Sequence, residues 1–422
     1  MTNQSFSINF PYIGSACIFC FTENKSQILF YHKKLFSLTI HKNKTDRIRQ
    51  RRYFIMITNK FYTPEGCAEL FITLESKAAS NFKDEVNEVI NELQTAIPAT
   101  FKLIWIRFHV SDIANQFAEI ENAGKNLSAM IAVTGQAPLS GAHIAVEAYA
   151  VDLTTSIQYD NNNFCKLDFE NYTQIFFNLN QVNSTGSYDQ TAEEFSHAEK
   201  IMEKYSGTLE NNLQRTWIYC RDIDNNYAGL VKARRELFTQ RNMTADTHYI
   251  ASTGIEGQSY PHNRLVRMDS FALFGHSREQ IAYLHALENL SPTHVYGVTF
   301  ERATRIIYGD RSHYYISGTA SIDKNGNVMY LCDVEKQTER LLDNVEALLA
   351  EGGGSLTDLR QAVIYLRDPA DRSAVEKVMN KRLPADTARV MVRGSICRPT
   401  WLVEMDAIAV NSNGNAKFKP LR

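Results

Sequence analysis

Residues 188–238 read YDQTAEEFSHAEKIMEKYSGTLENNLQRTWIYCRDIDNNYAGLVKARRELF, and residues 334–383 read VEKQTERLLDNVEALLAEGGGSLTDLRQAVIYLRDPADRSAVEKVMNKRL. Each stretch opens near a Gln-Thr pair with an apolar period close to 3.6 residues, which predicts a helix. Each pattern stops near glycine, at Gly207 and at 352–354, as helix C-termini often do. A short alternating run (TWIY or VIYL), an Arg-Asp pair and a second helical pattern then follow. The chain therefore repeats one α/β unit.

A fainter third copy occupies residues 84–122 and reads DEVNEVINELQTAIPATFKLIWIRFHVSDIANQFAEIEN. A strand-rich stretch precedes each copy, and an apolar closing strand follows it: HIAVEAYAVD, RLVRMDSFALF and TWLVEMDAIAVN. Alignment of these closing strands predicts that Glu147, Arg267 and Glu404 occupy one equivalent position. The order of hairpin, helix, strand, helix and strand predicts an α/β (α+β) fold whose mixed sheets carry helices on one face.

Three regions are expected along the chain. Residues 1–55 form an atypical N-terminal extension, which is basic and lacks a clear period. We interpret it as an upstream extension that precedes a natural start at Met56; the alternatives are an ordered accessory segment and a basic patch that binds a partner. Residues 56–187 are expected to form a degenerate N-terminal domain. Residues 188–422 are expected to form the catalytic region, with units at about 188–275 and 313–411.

Composition narrows the class of protein. The chain has 422 residues, of which 44% are hydrophobic and 22% charged, with a formal net charge of −2. This balance argues against a general nucleic-acid or anionic-membrane binder, and no apolar run reaches the roughly 18 residues of a membrane helix. Neither the seven cysteines nor the eleven histidines show metal-ligand spacing, so neither a metal nor another cofactor is expected. The odd cysteine count favours a reducing compartment, and we predict a cytoplasmic enzyme.

The ordered motifs of the second half carry a family resemblance. RTWIYCRDID, ASTGIEG, FERAT, ISGTAS, SIC-R and LVEMDAIAV follow one another as they do in chorismatases, enzymes that cleave the enolpyruvyl ether of chorismate. The layout is similar to the Rid (YjgF) superfamily, with its chorismate mutase-like fold and homotrimers. The resemblance implies an intramolecular pseudo-trimer, chorismate as the small-molecule substrate, and a monomer as the preferred state.

The resemblance also implies roles for particular residues. Glu404 matches the catalytic glutamate of the family. Cys397 and Gly318 match positions that hold cysteine and glycine in members forming 3-hydroxybenzoate. Where many members have a Gly-His pair and a further histidine after ISGTAS, this chain reads IDKNGNVMYLCD. The expected pocket positions are Arg215, Tyr219, Thr253, Gly254 and Arg302.

The chemistry of chorismate supports these residue types. Chorismate is a dianion, and guanidinium groups bind carboxylates with two hydrogen bonds, so Arg215, Arg389 and Lys377 are candidate cations. Loss of pyruvate begins with proton delivery to the enol ether, which needs a carboxylic acid that remains protonated near neutral pH. An ordinary glutamate has a pKa of about 4.3, and burial must raise this pKa for the group to stay protonated. Glu404, between Val403 and Met405 in an apolar strand, suits that role.

Two other functions remain open from the sequence. Arg389 lies about fifteen residues before Glu404, a placement similar to the carboxylate-binding arginine of Rid imine deaminases. A Rid-type enamine or imine deaminase is therefore the first alternative. The second is a non-catalytic binding protein on the same fold, since a fold does not fix a function. The last unit is expected to bring Arg389, Cys397 and Glu404 together.

Overall fold

The computed structural model describes residues 55–77, 81–152 and 156–422, and the N-terminal extension expected at 1–55 lies almost wholly outside these ranges. The first unit is a five-stranded sheet with strand order β1-β2-β5-β3-β4. Its elements are β1 (Ile55–Thr63), β2 (Gly66–Glu75), α1 (Phe82–Ala96), β3 (Phe101–Val110), α2 (Ile113–Gly124), β4 (Met130–Gly135) and β5 (Ile144–Asp152).

The second unit is a six-stranded sheet with strand order β6-β7-β8-β11-β9-β10. Its elements are β6 (Ile157–Asp160), β7 (Phe164–Asp168), β8 (Thr173–Asn178), α3 (Ser187–Lys204), α4 (Leu209–Asn212), β9 (Leu213–Cys220), α5 (Ile223–Gln240), β10 (Ala251–Glu256) and β11 (Val266–Phe274). Because β8 pairs with β11, the boundary expected after residue 187 falls inside this unit. The expected boundary followed the helical pattern that begins at Tyr188. The preceding strands β6, β7 and β8 belong to the same unit, however, because their pairing joins them to its sheet.

The third unit is a six-stranded sheet with strand order β12-β13-β14-β17-β15-β16. Its elements are β12 (Ile281–Leu284), β13 (Ala303–Ile307), β14 (Ser312–Ala320), α6 (Val334–Glu351), β15 (Leu359–Leu366), α7 (Arg372–Arg382), β16 (Ala388–Arg393) and β17 (Val403–Asn411). In every unit the closing strand lies in the middle of the sheet, and a short strand parallel to its neighbour (β4, β10 or β16) forms one edge. The sequence predicted the hairpins, long helices and closing strands but missed this short edge strand, which spans only six residues.

Local sequence explains the long helices. Asn81 and Asp333 precede α1 and α6, and each side chain accepts a hydrogen bond from a backbone N–H of the first turn. Such caps stabilise a helix N-terminus by about 1 kcal/mol. The α6 helix buries Leu341, Leu348 and neighbouring apolar side chains at helical spacing, and the chain leaves it through Gly353 at φ 77°. Among the described residues, the helices lack the combination of length and apolarity that a membrane crossing requires.

The faces of the sheets without helices meet in a shared aromatic core. Tyr149 of the first unit packs against Phe176 of the second, with ring centroids 6.2 Å apart. Phe271 of the second unit packs against Tyr315 of the third, with centroids 5.0 Å apart. Buried aromatic pairs of this kind stabilise the folded protein by more than the burial of their apolar area alone would give. The three units therefore form one body with a common centre.

The short edge strands join each unit to the next. Gly135, the last residue of β4, bridges Gln258 of the second unit, and Ala251, the first residue of β10, bridges Glu301 of the third. At β16, Val392 bridges Pro138 of the first unit, so the ring closes. Three junctions result: first to second, second to third, and third to first.

Strand register defines which residues are equivalent in the three units. Each parallel pair is a ladder of six residues, and its third residue on the inner strand is Arg107, Trp217 or Val363. The closing-strand partners of these three residues are Glu147, Asp269 and Asp406.

Two residues earlier on each closing strand, and so on the same face, lie Ala145, Arg267 and Glu404. The expected match of Glu404 with Arg267 is therefore correct. Its expected match with Glu147 is wrong, because Glu147 is the counterpart of Asp406.

The equivalent acids form a buried ion network at the centre. Arg107 contacts Glu147 of its own unit at 2.7 Å and Asp269 of the second unit at 3.0 Å. Arg267 also contacts Asp269, at 2.5 Å. Because all four side chains are buried, removal of one partner leaves an uncompensated charge in a low-dielectric site.

We expect Arg107→Met to lower the free energy of unfolding by about 3–5 kcal/mol, because both carboxylates lose a buried partner. Urea denaturation followed by circular dichroism measures this change. Lys377→Met is the control, since Lys377 is 74% exposed and pairs with Glu335 at the surface. Equal stability of the two variants would contradict a structural role for the central network.

Candidate functional site

A cavity of about 410 Å³ lies at the junction of the second and third units. The second unit contributes α5 and β10, and the third contributes residues 296–302, β14 and the segment that leads into β17. Its wall includes Tyr227, Arg234, Ser252, Gly254, Tyr296, Arg302, Gly318, Cys397, Arg398, Trp401 and Glu404. The volume suits one small ligand.

Glu404 provides the carboxyl group of this cavity. Its side chain is 5% exposed, and no donor among the described residues hydrogen-bonds to it. Burial, followed by the negative charge of Asp406 two residues along the same strand face, raises the pKa of Glu404 to about 8; Arg302 and Arg215 oppose the shift. The carboxyl group is therefore neutral at pH 7 and available as a proton donor.

Gly318 makes room for that carboxyl group. It lies at a register shift of β14, between Ile316 and Thr319. A Cβ atom at this position would overlap the Glu404 Oε1 atom and lie 3.2 Å from the Thr253 methyl group. Any larger residue would displace the Glu404 side chain, so steric exclusion explains the glycine at this bulge.

The cavity wall is rich in arginine. Arg234 of α5 is 2% exposed, donates to the Ser252 hydroxyl at 3.2 Å, and has two N–H groups, Nε and Nη2, without a partner in the described part of the chain. Arg302 donates to the Ser291 carbonyl oxygen at 2.9 Å. Arg398 lies over the ring of Tyr296, 4.7 Å from its centroid. These three guanidinium groups line the same cavity as the neutral acid, which favours an anionic ligand.

Sequence reasoning missed Arg234, Tyr227 and Arg398. Tyr227 and Arg234 are seven residues apart, so helical periodicity places them on one face of α5, and that signal was present in the sequence. Nothing in the sequence showed that this face borders a cavity, because the opposing wall comes from the third unit. Arg398 directly follows Cys397 within the SIC-R motif, so its neighbour in the sequence was its signal.

Cys397 lies in the wall of the same cavity as Glu404. Burial, followed by the nearby Glu404 carboxyl group, raises the pKa of the Cys397 thiol to about 12. The residue is therefore a neutral thiol near neutral pH and a poor nucleophile. Its place in the wall lets it shape the cavity.

Arg215 and Thr253 form a layer behind Glu404 rather than the cavity wall. Arg215 is 1% exposed, donates to the Thr253 hydroxyl at 2.5 Å and lies 3.7 Å from Asp406. Tyr365 donates a hydrogen bond of 2.8 Å to the same aspartate. These contacts hold Asp406 in place, and through it they set the electrostatic environment of Glu404.

Three expected site residues lie elsewhere. Tyr219 is buried at the centre, with the Arg267 guanidinium 4.6 Å from its ring. Lys377 is an exposed residue of α7, and Arg389 of β16 hydrogen-bonds to Asn380. None of them is part of the cavity wall.

The displacement of Arg389 has a topological cause. Arg389 sits on the edge strand that borders the first unit, whereas Glu404 sits at the junction with the second. The register equivalent of Arg389 that does line the cavity is Ser252. The structure therefore brings Cys397 and Glu404 together and leaves Arg389 at another junction.

Comparisons with known proteins agree with this architecture. Residues 305–411 match the family model described as endoribonuclease L-PSP. The 3-aminoacrylate deaminase RutC of Acinetobacter baylyi is 33% identical over 96 residues, which cover 22% of this chain and 76% of that protein. The chain therefore belongs to the Rid/YjgF (L-PSP) family, and its three sheets are repeated units of that fold.

Solved structures extend the comparison. A chorismatase crystal structure is similar with a TM-score of 0.58 and 19% identity, covering 73% of this chain and 93% of that one. A YjgF-family protein from Neisseria meningitidis is 25% identical with a TM-score of 0.25, covering 32% of this chain and 97% of that one. The first likeness shows that most of this chain shares its fold with that protein.

Because the pKa of Glu404 is raised, we expect the difference in free energy of unfolding between the wild type and Glu404→Gln to depend on pH. Between about pH 5 and the folded pKa of about 8, the folded protein keeps this proton and the unfolded chain loses it. Because the unfolded state binds fewer protons, the free energy of unfolding should fall as pH rises, by roughly 1 kcal/mol per pH unit relative to the variant. Urea titrations across this interval measure it, and a pH-independent difference would contradict the buried neutral acid.

Proposed function

We propose that this protein is a chorismatase that converts chorismate to pyruvate and a hydroxybenzoate, with Glu404 as the general acid. The observation that carries the proposal is a neutral, buried carboxyl group in a 410 Å³ cavity whose wall holds Arg234, Arg302 and Arg398. Chorismate carries two carboxylates and an acid-labile enol ether, so it requires both features. The shared fold with a chorismatase supports the same conclusion.

Binding of the dianion is assigned to the guanidinium groups. Arg234 is buried and has two unpaired N–H groups, which a substrate carboxylate would satisfy. A buried charged donor without a partner costs free energy, so pairing with a carboxylate is favourable. Arg302 and Arg398 are both packed on the ring of Tyr296, which holds their charges at fixed positions on the opposite wall.

The chemical step begins with the Glu404 proton. Its transfer to the methylene carbon of the enol ether gives an oxocarbenium ion, and cleavage of the ring C–O bond then releases pyruvate. As pyruvate leaves ring carbon C3, the hydroxyl oxygen on the neighbouring C4 bonds to C3 and returns a proton to Glu404, which forms an epoxide. Cleavage of the C4–O bond of this epoxide and loss of the C3 proton then give 3-hydroxybenzoate, whereas direct loss of the C4 proton would give 4-hydroxybenzoate. In either case hydroxybenzoate plus pyruvate contain all the atoms of chorismate. The neighbouring arginines disperse the negative charge left on Glu404, since fixed charges in a dry site need no reorganisation.

The 3-hydroxybenzoate isomer is the favoured product. This part of the proposal rests on Gly318 and Cys397, the residue types that the resemblance associates with that isomer. Gly318 leaves space beside Glu404, and the neutral Cys397 thiol faces the same cavity. A monomer is part of the proposal too, because all three junctions are closed within one chain.

A Rid-type deaminase is the second candidate function. The similarity to a 3-aminoacrylate deaminase favours it, and Arg389 would be its carboxylate-binding residue. At the junction where Arg389 lies, however, the position of Glu404 is held by Ala145. A non-catalytic binding role on the same fold is the third candidate.

Incubation of the protein with chorismate should release pyruvate, detected by lactate dehydrogenase coupling, and an aromatic acid identified by chromatography. Glu404→Gln should abolish turnover while leaving the circular dichroism spectrum unchanged, because it removes the proton donor and keeps the shape. Arg234→Met should raise KM at least about tenfold through the lost carboxylate contact.

Arg389→Met is the matched control, since it removes an arginine from another junction and should leave chorismate turnover unchanged. Absence of pyruvate above background would refute the chorismatase proposal. Deamination of 3-aminoacrylate that Arg389→Met abolishes, with chorismate untouched, would establish the second candidate in its place.

The pH dependence of turnover gives an independent test of Glu404. Because the protonated form is active, kcat/KM should fall as pH rises through about 8. Asp406→Asn removes the like charge nearest to Glu404, lowers its pKa and should move this basic limb to lower pH. A loss of activity with no movement of the limb would mean that Asp406 has only a structural role.

A further inference from the structure

A second cavity, of about 510 Å³, lies at the junction of the first and second units. Its wall combines α2 and β4 of the first unit with β11 of the second. The candidate active site combines the matching elements of the next pair of units, α5 and β10 with β17. The two cavities are therefore related by the internal repeat.

The residues at matching positions differ between the two cavities. Strand register places Arg267 where the candidate active site has Glu404. It also places Ile131 where that site has Ser252. The second cavity consequently presents a cation at the position of the proton donor. Among the described residues of its wall, the only carboxyl group is that of Glu121, which is exposed.

Arg267 has an unfilled hydrogen-bonding position. Its side chain lines the cavity and is 5% exposed. Nη1 donates to Asp269 and Nη2 to the Thr134 hydroxyl, but Nε has no partner in the described part of the chain. A buried charged donor without an acceptor is costly, so an acceptor supplied by a ligand would be stabilising. Arg264 beside it, by contrast, is bound to the Glu194 carboxylate and to backbone carbonyl oxygens.

The remaining wall indicates the kind of ligand. Lys125 and the two arginines face the cavity against one acid, Glu121. Phe117 and Tyr260 both line this cavity, and their rings stack on each other with centroids 4.7 Å apart and an interplanar angle of 17°. Aromatic rings next to cations suit a planar organic acid, whose ring stacks and whose carboxylate pairs with guanidinium.

We propose that the 510 Å³ cavity is a second, non-catalytic site that binds a small aromatic carboxylate through Arg267. Binding without turnover follows from the replacement of the buried acid by arginine. The inference rests on the walls of this cavity and stands whether or not the protein cleaves chorismate.

The test uses the full chain and 4-bromobenzoate as the probe. In crystals soaked with it, the anomalous signal of bromine should place one molecule in the 510 Å³ cavity. By calorimetry, Arg267→Met should weaken binding at this site at least about tenfold, because the charged contact is lost. Leu179→Trp fills the same cavity, keeps the backbone carbonyl oxygen that accepts from Arg264, and should remove the bromine peak there.

The matched control is Val231→Trp, which fills the 410 Å³ cavity and should leave the bromine peak in the 510 Å³ cavity unchanged. The proposal is overturned if soaked wild-type crystals show no bromine in the 510 Å³ cavity. It is also overturned if both Arg267→Met and Leu179→Trp bind the probe there as tightly as the wild type. Chorismate turnover is measured in a separate assay, so the failure of one proposal can be distinguished from the failure of the other.

Discussion

Arg107 holds two carboxylates of different units at the centre of the molecule, Glu147 at 2.7 Å and Asp269 at 3.0 Å. Its guanidinium also lies 5.2 Å from the ring centroid of Trp217. A buried guanidinium requires this combination of acids and aromatic faces, since burial without partners would cost several kcal/mol. The network therefore fixes the first sheet against the second, and with it the walls of the cavities at the junctions between units.

The third unit departs from this pattern in a way that matters for chemistry. Asp406 is the counterpart of Glu147 and Asp269, yet its nearest guanidinium, that of Arg215, is 3.7 Å away. Its negative charge is thus less fully compensated, and it acts on Glu404, its neighbour on the same strand face. Burial and this like charge together keep the Glu404 carboxyl group protonated at neutral pH. A position that stabilises the fold in two units tunes a proton donor in the third.

Fusion of three units into one chain allows each junction to differ. In a symmetric trimer the same residues would line every junction. Here the position of Glu404 is held by Arg267 in the second unit and by Ala145 in the first. One junction therefore has a cavity with a proton donor, and another has a cavity with a cation at the same position. Arg389 and Glu404 both belong to the third unit, but Arg389 lies at the junction with the first unit and Glu404 at the junction with the second, so each can differ from its counterparts.

The sequence by itself determined the repeated unit, because helical and strand periodicity are local properties that each copy displays. It also pointed to Glu404, Cys397 and Gly318, through an apolar closing strand and short motifs. Only the tertiary structure decided which residues share a cavity. Helix α5 and strand β17 are far apart in sequence, so the role of Arg234 depends on how two units pack. Likewise, Glu147 aligns with Glu404 in the sequence, but the register of the strands, which backbone hydrogen bonds set, shifts the match by two residues and pairs Glu147 with Asp406 instead.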